Sequence, residues 1–324
     1  MAWFTLDDIE TAAALVHQVV PPTPQYNWPL LAKRADADIW VKHENHTPTG
    51  AFKIRGGLTY IDALRKREPE IAGVTSATRG NHGQSIALAA TRAGLRSVIY
   101  IPHGNSREKN AAMAAFGAEL VTHGRDFDEA KDMCSRVAEQ EGLHFVPSFH
   151  PDLVKGVSTY ALELFRAVPD LDLVYAPIGL GSGICGLIEV RDLLGLRTEI
   201  VGVVADNAPA VAHSFEAGRA VGSNSAQTFA DGMAVREPHS GALEMICRGV
   251  SRVETIGEDQ IAAAMRIYYT ATHNIAEGAG AAPLAALLKD ATRARGKKVA
   301  VILSGGNVDR EMFLQVLQGQ TPRV

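Results

Sequence analysis

The sequence predicts an α/β protein whose parallel sheets are covered by helices on both faces. Short apolar runs alternate with helix-period stretches over almost the whole chain. Several of these runs end in glycine-rich or hydroxyl-rich turns that open the next helical stretch. No internal repeat, low-complexity tract or linker breaks the alternation.

Taken in order, Ile39-Trp40-Val41 is the first strand-like run. Gly73-Val74-Thr75 is the next, and it leads through Ser76-Ala77-Thr78-Arg79-Gly80-Asn81-His82-Gly83 into a helical stretch from Gln84 to Arg92. Ser97 to Ile101 and Glu119 to Val121 read as strands on either side of the helix-period stretch from Glu108 to Phe116. Helical spacing returns from Thr159 to Phe165. The run Leu173 to Ala176 meets Pro177-Ile178-Gly179-Leu180-Gly181-Ser182-Gly183-Ile184-Cys185-Gly186, after which helical spacing continues to Leu194. Ile200 to Val204 and Lys298 to Leu303 complete the strands, and the last of them ends in Ser304-Gly305-Gly306-Asn307. Without a linker, a domain boundary is expected where the chain crosses between two packed lobes.

Composition narrows the function classes. The 324 residues suffice for one large or two modest domains, and 46% hydrophobic with 21% charged residues is ordinary for a globular protein. A net charge of -4 gives no basic field for nucleic acid or an anionic membrane. Cys134, Cys185 and Cys247 are widely spaced, which suits a reducing compartment. The N-terminal residues Asp7, Asp8 and Glu10 do not read as a signal peptide, and no apolar run is long enough to span a bilayer. A cytoplasmic protein is the expectation.

Four segments carry chemistry. The glycine cluster from Gly179 to Gly186 follows a strand and opens a helix, so its backbone N–H groups can close around an anion, with phosphate the natural guest. The same segment contains Gly181-x-Gly183-x-x-Gly186 with Asp206 beyond the next strand, which fits a dinucleotide fingerprint as well. The Thr78 to His82 loop offers hydroxyl, amide and backbone donors suited to a carboxylate. Ser304 ends a strand, where open α/β sheets bind ligands, and can give a ring nitrogen an uncharged hydrogen bond. Lys53, in Pro48-Thr49-Gly50-Ala51-Phe52-Lys53-Ile54-Arg55-Gly56-Gly57, can hold an aldehyde cofactor as a Schiff base once its amine is deprotonated.

In this order the four segments resemble the serine/threonine dehydratase family of fold type II (tryptophan synthase β-like) pyridoxal-phosphate enzymes. Lys42-His43-Glu44, Gly117-Ala118-Glu119 and Gly156 to Glu163 extend the resemblance, which runs from about Pro21 to about Asn307. It implies two lobes, each with a mostly parallel sheet covered by helices: residues 1–48 and 145–324 as the large lobe and 49–144 as the small one. It implies pyridoxal 5'-phosphate as cofactor, a small amino acid as substrate and a homodimer. Lys53 would carry the cofactor and act as the catalytic base. Phe52 would flank its ring, Asn81 would bond its 3′-oxygen, and Ser304 would face its ring nitrogen. Gly179, Gly181, Ser182, Gly183 and Ile184 would hold its phosphate. Thr78, Gly80, Asn81 and His82 would receive the substrate carboxylate. Glu277 matches a family acid near the cofactor, with a structural ion pair as the alternative role. The implied reaction removes water from a β-hydroxy-α-amino acid such as threonine, serine or 3-hydroxyaspartate, giving a 2-keto acid and ammonia. The same Cα proton could instead be returned on the other face, as in a racemase. A nicotinamide-dependent oxidoreductase is the rival from another class.

Three departures from the family pattern matter. Arg79 stands where these dehydratases carry a small residue, and it could pair with a second substrate carboxylate, point outward or brace its loop. Val204 occupies the glutamate position of a metal site found in some relatives, so no metal is expected there, although Asp206 supplies one oxygen ligand. The motifs reach Asn307 and leave only a helix-like tail to Val324, so a catabolic type without a regulatory domain is expected.

Overall fold

The computed structural model describes residues 2–323. The chain opens with α1 (Leu6–Val16), β1 (Gln25–Asn27), α2 (Pro29–Ala35) and β2 (Asp38–His43). Next come α3 (Lys53–Arg67), β3 (Gly73–Ala77), α4 (Asn81–Arg92), β4 (Arg96–Ile101), α5 (Arg107–Ala115), β5 (Glu119–Thr122), α6 (Phe127–Glu141) and β6 (His144–Phe145). The third stretch holds α7 (Pro151–Ala167), β7 (Leu173–Pro177), α8 (Ser182–Leu193), β8 (Glu199–Ala205), α9 (Ala210–Ala217), α10 (Ser240–Gly249) and β9 (Arg252–Ile256). The chain closes with α11 (Glu258–Thr272), α12 (Gly278–Lys289), α13 (Ala291–Ala294), β10 (Lys298–Leu303) and α14 (Arg310–Leu317). The expected helical tail is α14; Val324 lies outside the described residues.

Two sheets organise these elements. One has six strands in the order β1-β2-β10-β7-β8-β9, parallel except for β1, and the other has four parallel strands in the order β5-β4-β3-β6. In the larger sheet β10 is central, pairing Val301 with both Val41 and Tyr175. Its alternation shows why a continuous apolar run forms here. Val299, Val301 and Leu303 enter the core under α11 and α12, while Ala300 and Ile302 enter the core under α7 and α8.

Strand order creates two switch points. The chain lays β4 and then β5 on one side of β3, and returns with β6 on the other. It lays β8 and then β9 on one side of β7, and returns with β10 on the other. Ligands bind outside the carboxyl ends of strands at such reversals. The Thr78–His82 loop leaves β3, the glycine-rich loop leaves β7 and the Ser304 turn leaves β10.

Several elements exceed their sequence signal for physical reasons. Helix α7 begins at Pro151, with His150 accepting from the Asp152 N–H, well before the Thr159 stretch. Helix α8 begins at Ser182, inside the glycine cluster, because Gly181 turns the chain at φ +104. Helix α3 packs closely on α4 and α7. A Cβ on Gly57 would lie 2.3 Å from Ser85 Oγ, and one on Gly156 would lie 2.1 Å from the Arg55 carbonyl oxygen.

The deepest polar feature of the fold lies at this helix junction. The Arg55 guanidinium is fully buried. It donates to Glu44 at 2.7 and 3.0 Å and to Glu163 at 2.6 and 2.9 Å. Lys42 Nζ donates to Glu163 at 2.6 Å and to the Thr23 carbonyl at 2.7 Å. Burial alone would favour a protonated Glu163, but Arg55 and Lys42 overcome it and hold the carboxyl below its ordinary range.

Glu163→Ala is expected to destabilise the protein by about 3–5 kcal/mol, since it leaves buried cations short of a partner. Arg166→Ala, which opens the exposed pair with Glu10, should cost about 0–1 kcal/mol. Urea unfolding of both variants checks the contrast. The Glu163 contribution should be complete above the unfolded glutamate pKa and fade as pH falls through the lower folded value.

Candidate active site

Lys53 is the first residue of α3, and the chain before it is tied to the turn after β10. Phe52 N–H donates to the Ser304 carbonyl at 3.0 Å, and Gly306 N–H donates to the Gly50 carbonyl at 2.9 Å. Ala51 and Gly305 form an isolated bridge, and Asn307 Nδ2 donates to the Thr49 carbonyl at 2.7 Å. Residues some 250 positions apart in sequence are thus adjacent. From the other side, Ser85 Oγ on α4 donates to the Lys53 carbonyl at 2.7 Å. Among the described residues the Lys53 ammonium has neither an ion pair nor a hydrogen bond. It sits 5.2 Å from the Phe52 ring centroid. Burial pushes its pKa below the ordinary lysine value, against the opposing pull of Glu277 and Asp231.

Thr78, Arg79, Gly80, Asn81 and His82 line a cleft of about 690 Å³ together with Lys53 and Leu180. Thr78 Oγ1 shapes the loop by accepting from the N–H groups of Gly80 and Gly83 at 2.9 and 3.3 Å. Asn81 is held at both ends of its amide: Nδ2 donates to Glu277 at 2.7 Å, and Oδ1 accepts from Asn307 Nδ2 at 2.9 Å. His82 is buried, and its Nε2 has no hydrogen-bond partner among the described residues. Burial, reinforced by Lys53, lowers its pKa to about 3 and keeps the ring neutral. Arg79 is exposed at the cleft mouth, without a hydrogen-bonding or ionic partner among the described residues.

The glycine-rich loop lies on the far side of Phe52. A Cβ on Gly183 would stand 3.5 Å from the Phe52 ring, and Tyr160 Oη donates to the Gly183 carbonyl at 2.8 Å. Among the described residues, no backbone carbonyl takes the N–H groups of Gly179, Gly181, Ser182, Gly183 or Ile184. These free donors stand at the N-terminus of the twelve-residue helix α8, where the dipole favours an anion. Ser304 is buried and uncharged. An unpartnered amine, a cradle of free N–H groups and a neutral hydroxyl form a donor set that fits an aldehyde-bearing aromatic phosphate.

Two cleft residues escaped the sequence reading. Lys109 on α5 lies 2.6 Å from Asp231, in the 3-10 turn Asp231–Met233, and 3.5 Å from Glu277. Arg107-Glu108-Lys109-Asn110 reads as an ordinary solvated helix start, so no local signal marks Lys109. Asp206, the candidate ribose acid, is exposed just beyond β8. Val204 is buried and offers no oxygen to a cation.

The architecture is that of the fold type II pyridoxal-phosphate enzymes. The family model "Pyridoxal-phosphate dependent enzyme" matches residues 16–305. An L-threonine ammonia-lyase of Thermotoga maritima is 33% identical over 97% of this chain and 78% of its own. The catabolic L-threonine dehydratase of Escherichia coli K12 is 30% identical over 96% of this chain and 95% of its own. The chain spans 58% of the length of the biosynthetic L-threonine dehydratases it matches. The crystal structure of a pyridoxal 5'-phosphate-dependent aspartate racemase superposes with a TM-score of 0.91 at 28% identity, covering 97% of this chain and 98% of that one. The chain belongs to the pyridoxal-phosphate-dependent enzyme family, among its threonine dehydratase-like lyases. That membership displaces the nicotinamide reading of the glycine cluster. Among the described residues no helix is long and apolar enough to cross a membrane.

The crowding at the phosphate-loop candidates is uneven. A Cβ on Gly179 would lie 2.3 Å from the Gly232 carbonyl oxygen, whereas one on Gly183 meets only ordinary contacts. Gly179→Ala is therefore expected to weaken cofactor retention by about tenfold or more, roughly 1.4 kcal/mol, with Gly183→Ala the milder change. Equilibrium dialysis of both variants checks the order.

Proposed function

We propose that this chain removes water from a β-hydroxy-α-amino acid and releases a 2-keto acid and ammonia. The observation that carries the reading is the Lys53 amine: unpartnered, favoured in its neutral form by burial, and in one cleft with the Thr78–His82 loop. When bound, pyridoxal phosphate supplies an electrophilic aldehyde and an electron sink. Lys53 is the residue for covalent attachment, and its freed amine is the base that takes the Cα proton. Gly179, Gly181, Ser182, Gly183 and Ile184 hold the phosphate through their N–H groups, and Phe52 bounds the ring. Asn81 keeps a second Nδ2 hydrogen for the cofactor's 3′-oxygen. Ser304 would offer the ring nitrogen an uncharged partner, which would favour elimination over transamination. Thr78, Gly80, Asn81 and His82 receive the substrate carboxylate. The proposal includes two lobes, residues 49–144 and the remainder, that close on substrate. It also includes a homodimer and a cytoplasmic setting. The free cysteines, two of them buried, suit a reducing compartment.

A specific observation favours an acidic substrate within this class. Arg79 keeps its guanidinium free on the loop assigned to the substrate carboxylate, and a guanidinium binds a second carboxylate bidentately. The structurally similar aspartate racemase bears a dicarboxylate in its name. 3-Hydroxyaspartate is therefore the leading candidate, ahead of threonine and serine.

Borohydride reduction of the loaded protein should fix the cofactor to the peptide containing Lys53, as read by mass spectrometry. Lys53→Ala should abolish that attachment and lower kcat by about 10²–10⁴-fold. Attachment at another lysine would overturn the reading. Arg79→Ala should lower kcat/KM for 3-hydroxyaspartate roughly ten- to a hundredfold while leaving threonine nearly unaffected. Equal losses for both substrates would remove the distal-carboxylate role.

A further inference from the structure

We propose that Lys109 is a positioning residue: reaching across the cleft, it favours the carboxylate form of Glu277 against the effect of burial, and that carboxylate orients the side-chain amide of Asn81. The inference rests on the reading of this cleft as the reaction site and assigns a function to a residue outside the motifs.

The geometry is built from both walls. Lys109 belongs to α5, on the unit of the four-stranded sheet, and is 6% exposed. Its aliphatic stem lies against the substrate loop, since a Cβ on Gly80 would stand 2.3 Å from Lys109 Cδ. Its ammonium is 2.6 Å from Asp231 and 3.5 Å from Glu277 Oε2, both on the unit of the six-stranded sheet. Glu277 Oε2 is buried and has no hydrogen bond among the described residues, so this ion pair is its stabilising contact. The other oxygen, Oε1, accepts from Asn81 and packs on the Gly305 backbone, where an added Cβ would be 2.6 Å away.

Charges reach Glu277 from three elements: Lys109 from α5, Lys53 from α3 and Asp231 from the 3-10 turn. Asn81 and Gly305 are neutral. Burial pushes Glu277 up to about 7, Lys109 opposes that shift and Asp231 adds to it. An ionised Glu277 can only accept hydrogen bonds, which forces the Asn81 amide to present Nδ2, while Asn307 pins Oδ1. Protonation would remove the charge assistance from that bond.

Lys109 and Asp231 make opposite predictions for Glu277. In Lys109→Gln the Glu277 titration should move up by about one pH unit or more, and in Asp231→Asn it should move down. The readout is the 13C δ-carboxyl resonance of Glu277 in the cofactor-loaded full chain, assigned by its loss in Glu277→Gln. The acidic limb of kcat/KM should follow the same two directions. Because the carboxyl titration needs no turnover, it stays readable even if the proposed substrates fail. An unchanged titration in both variants, or a shift of the same sign in both, would overturn the proposal. Should Lys109→Gln fail to fold, Asp231→Asn decides alone, and an unchanged or upward titration there overturns it.

Discussion

The buried pairing of Arg55 with Glu44 and Glu163 is the constraint on which the rest of the site depends. Arg55 stands two residues after Lys53, so whatever fixes its guanidinium also fixes the first turn of α3. Three elements converge there: Lys42 on β2, Glu44 just beyond it and Glu163 on α7. Burying such charges costs several kcal/mol per ion, and the cost is offset only when geometry and hydrogen bonds are complete. Here two cations face two carboxylates, with Thr23 and Thr159 taking further hydrogen bonds. An arrangement of this kind tolerates little sliding of one helix on another. It therefore holds the start of α3 in one place relative to the β10 turn.

Around that fixed point the cleft distributes its charges unevenly. Lys109 is matched by Asp231 and Glu277, and Arg236 at the rim pairs with Asp128 and Asp126. Both pairings join the unit of the six-stranded sheet to that of the four-stranded one, so electrostatics helps set how the walls approach. Among the described residues Lys53 has no such partner. Burial instead lowers its affinity for a proton, the property an attacking amine needs. Arg79 also lacks a partner among the described residues, but it faces solvent. In the proposed function one cation serves chemistry and the other recognition.

Much of the fold was legible because buried parallel strands are continuous apolar runs. Lys298 to Leu303 could hardly be anything else. The edge strand β9 was not legible, since Arg252-Val253-Glu254-Thr255-Ile256 is neither a continuous apolar run nor a strict alternation, and pairing with β8 makes it a strand. The candidate site residues stood out in the sequence because the chemistry proposed for them demands rare local patterns: free N–H groups need glycines before a helix, and an unpartnered lysine needs tight neighbours. Lys109 and Asp231 carry no such pattern. Their charges look like solvated surface until folding removes the solvent.

The sequence by itself determined the class of protein, the cofactor, and the segments proposed to meet it. Those follow from local chemistry, which a chain carries in order along its length. Only the tertiary structure decided which segments touch. Strand order placed the β7 and β10 loops on either side of one reversal and the β3 loop opposite them. Burial then decided which ionisable groups depart from their ordinary behaviour. Glu277 and Glu163 are both glutamates under low exposure, yet one is pushed toward protonation and the other away from it. The difference is the number and closeness of cations that folding sets beside each.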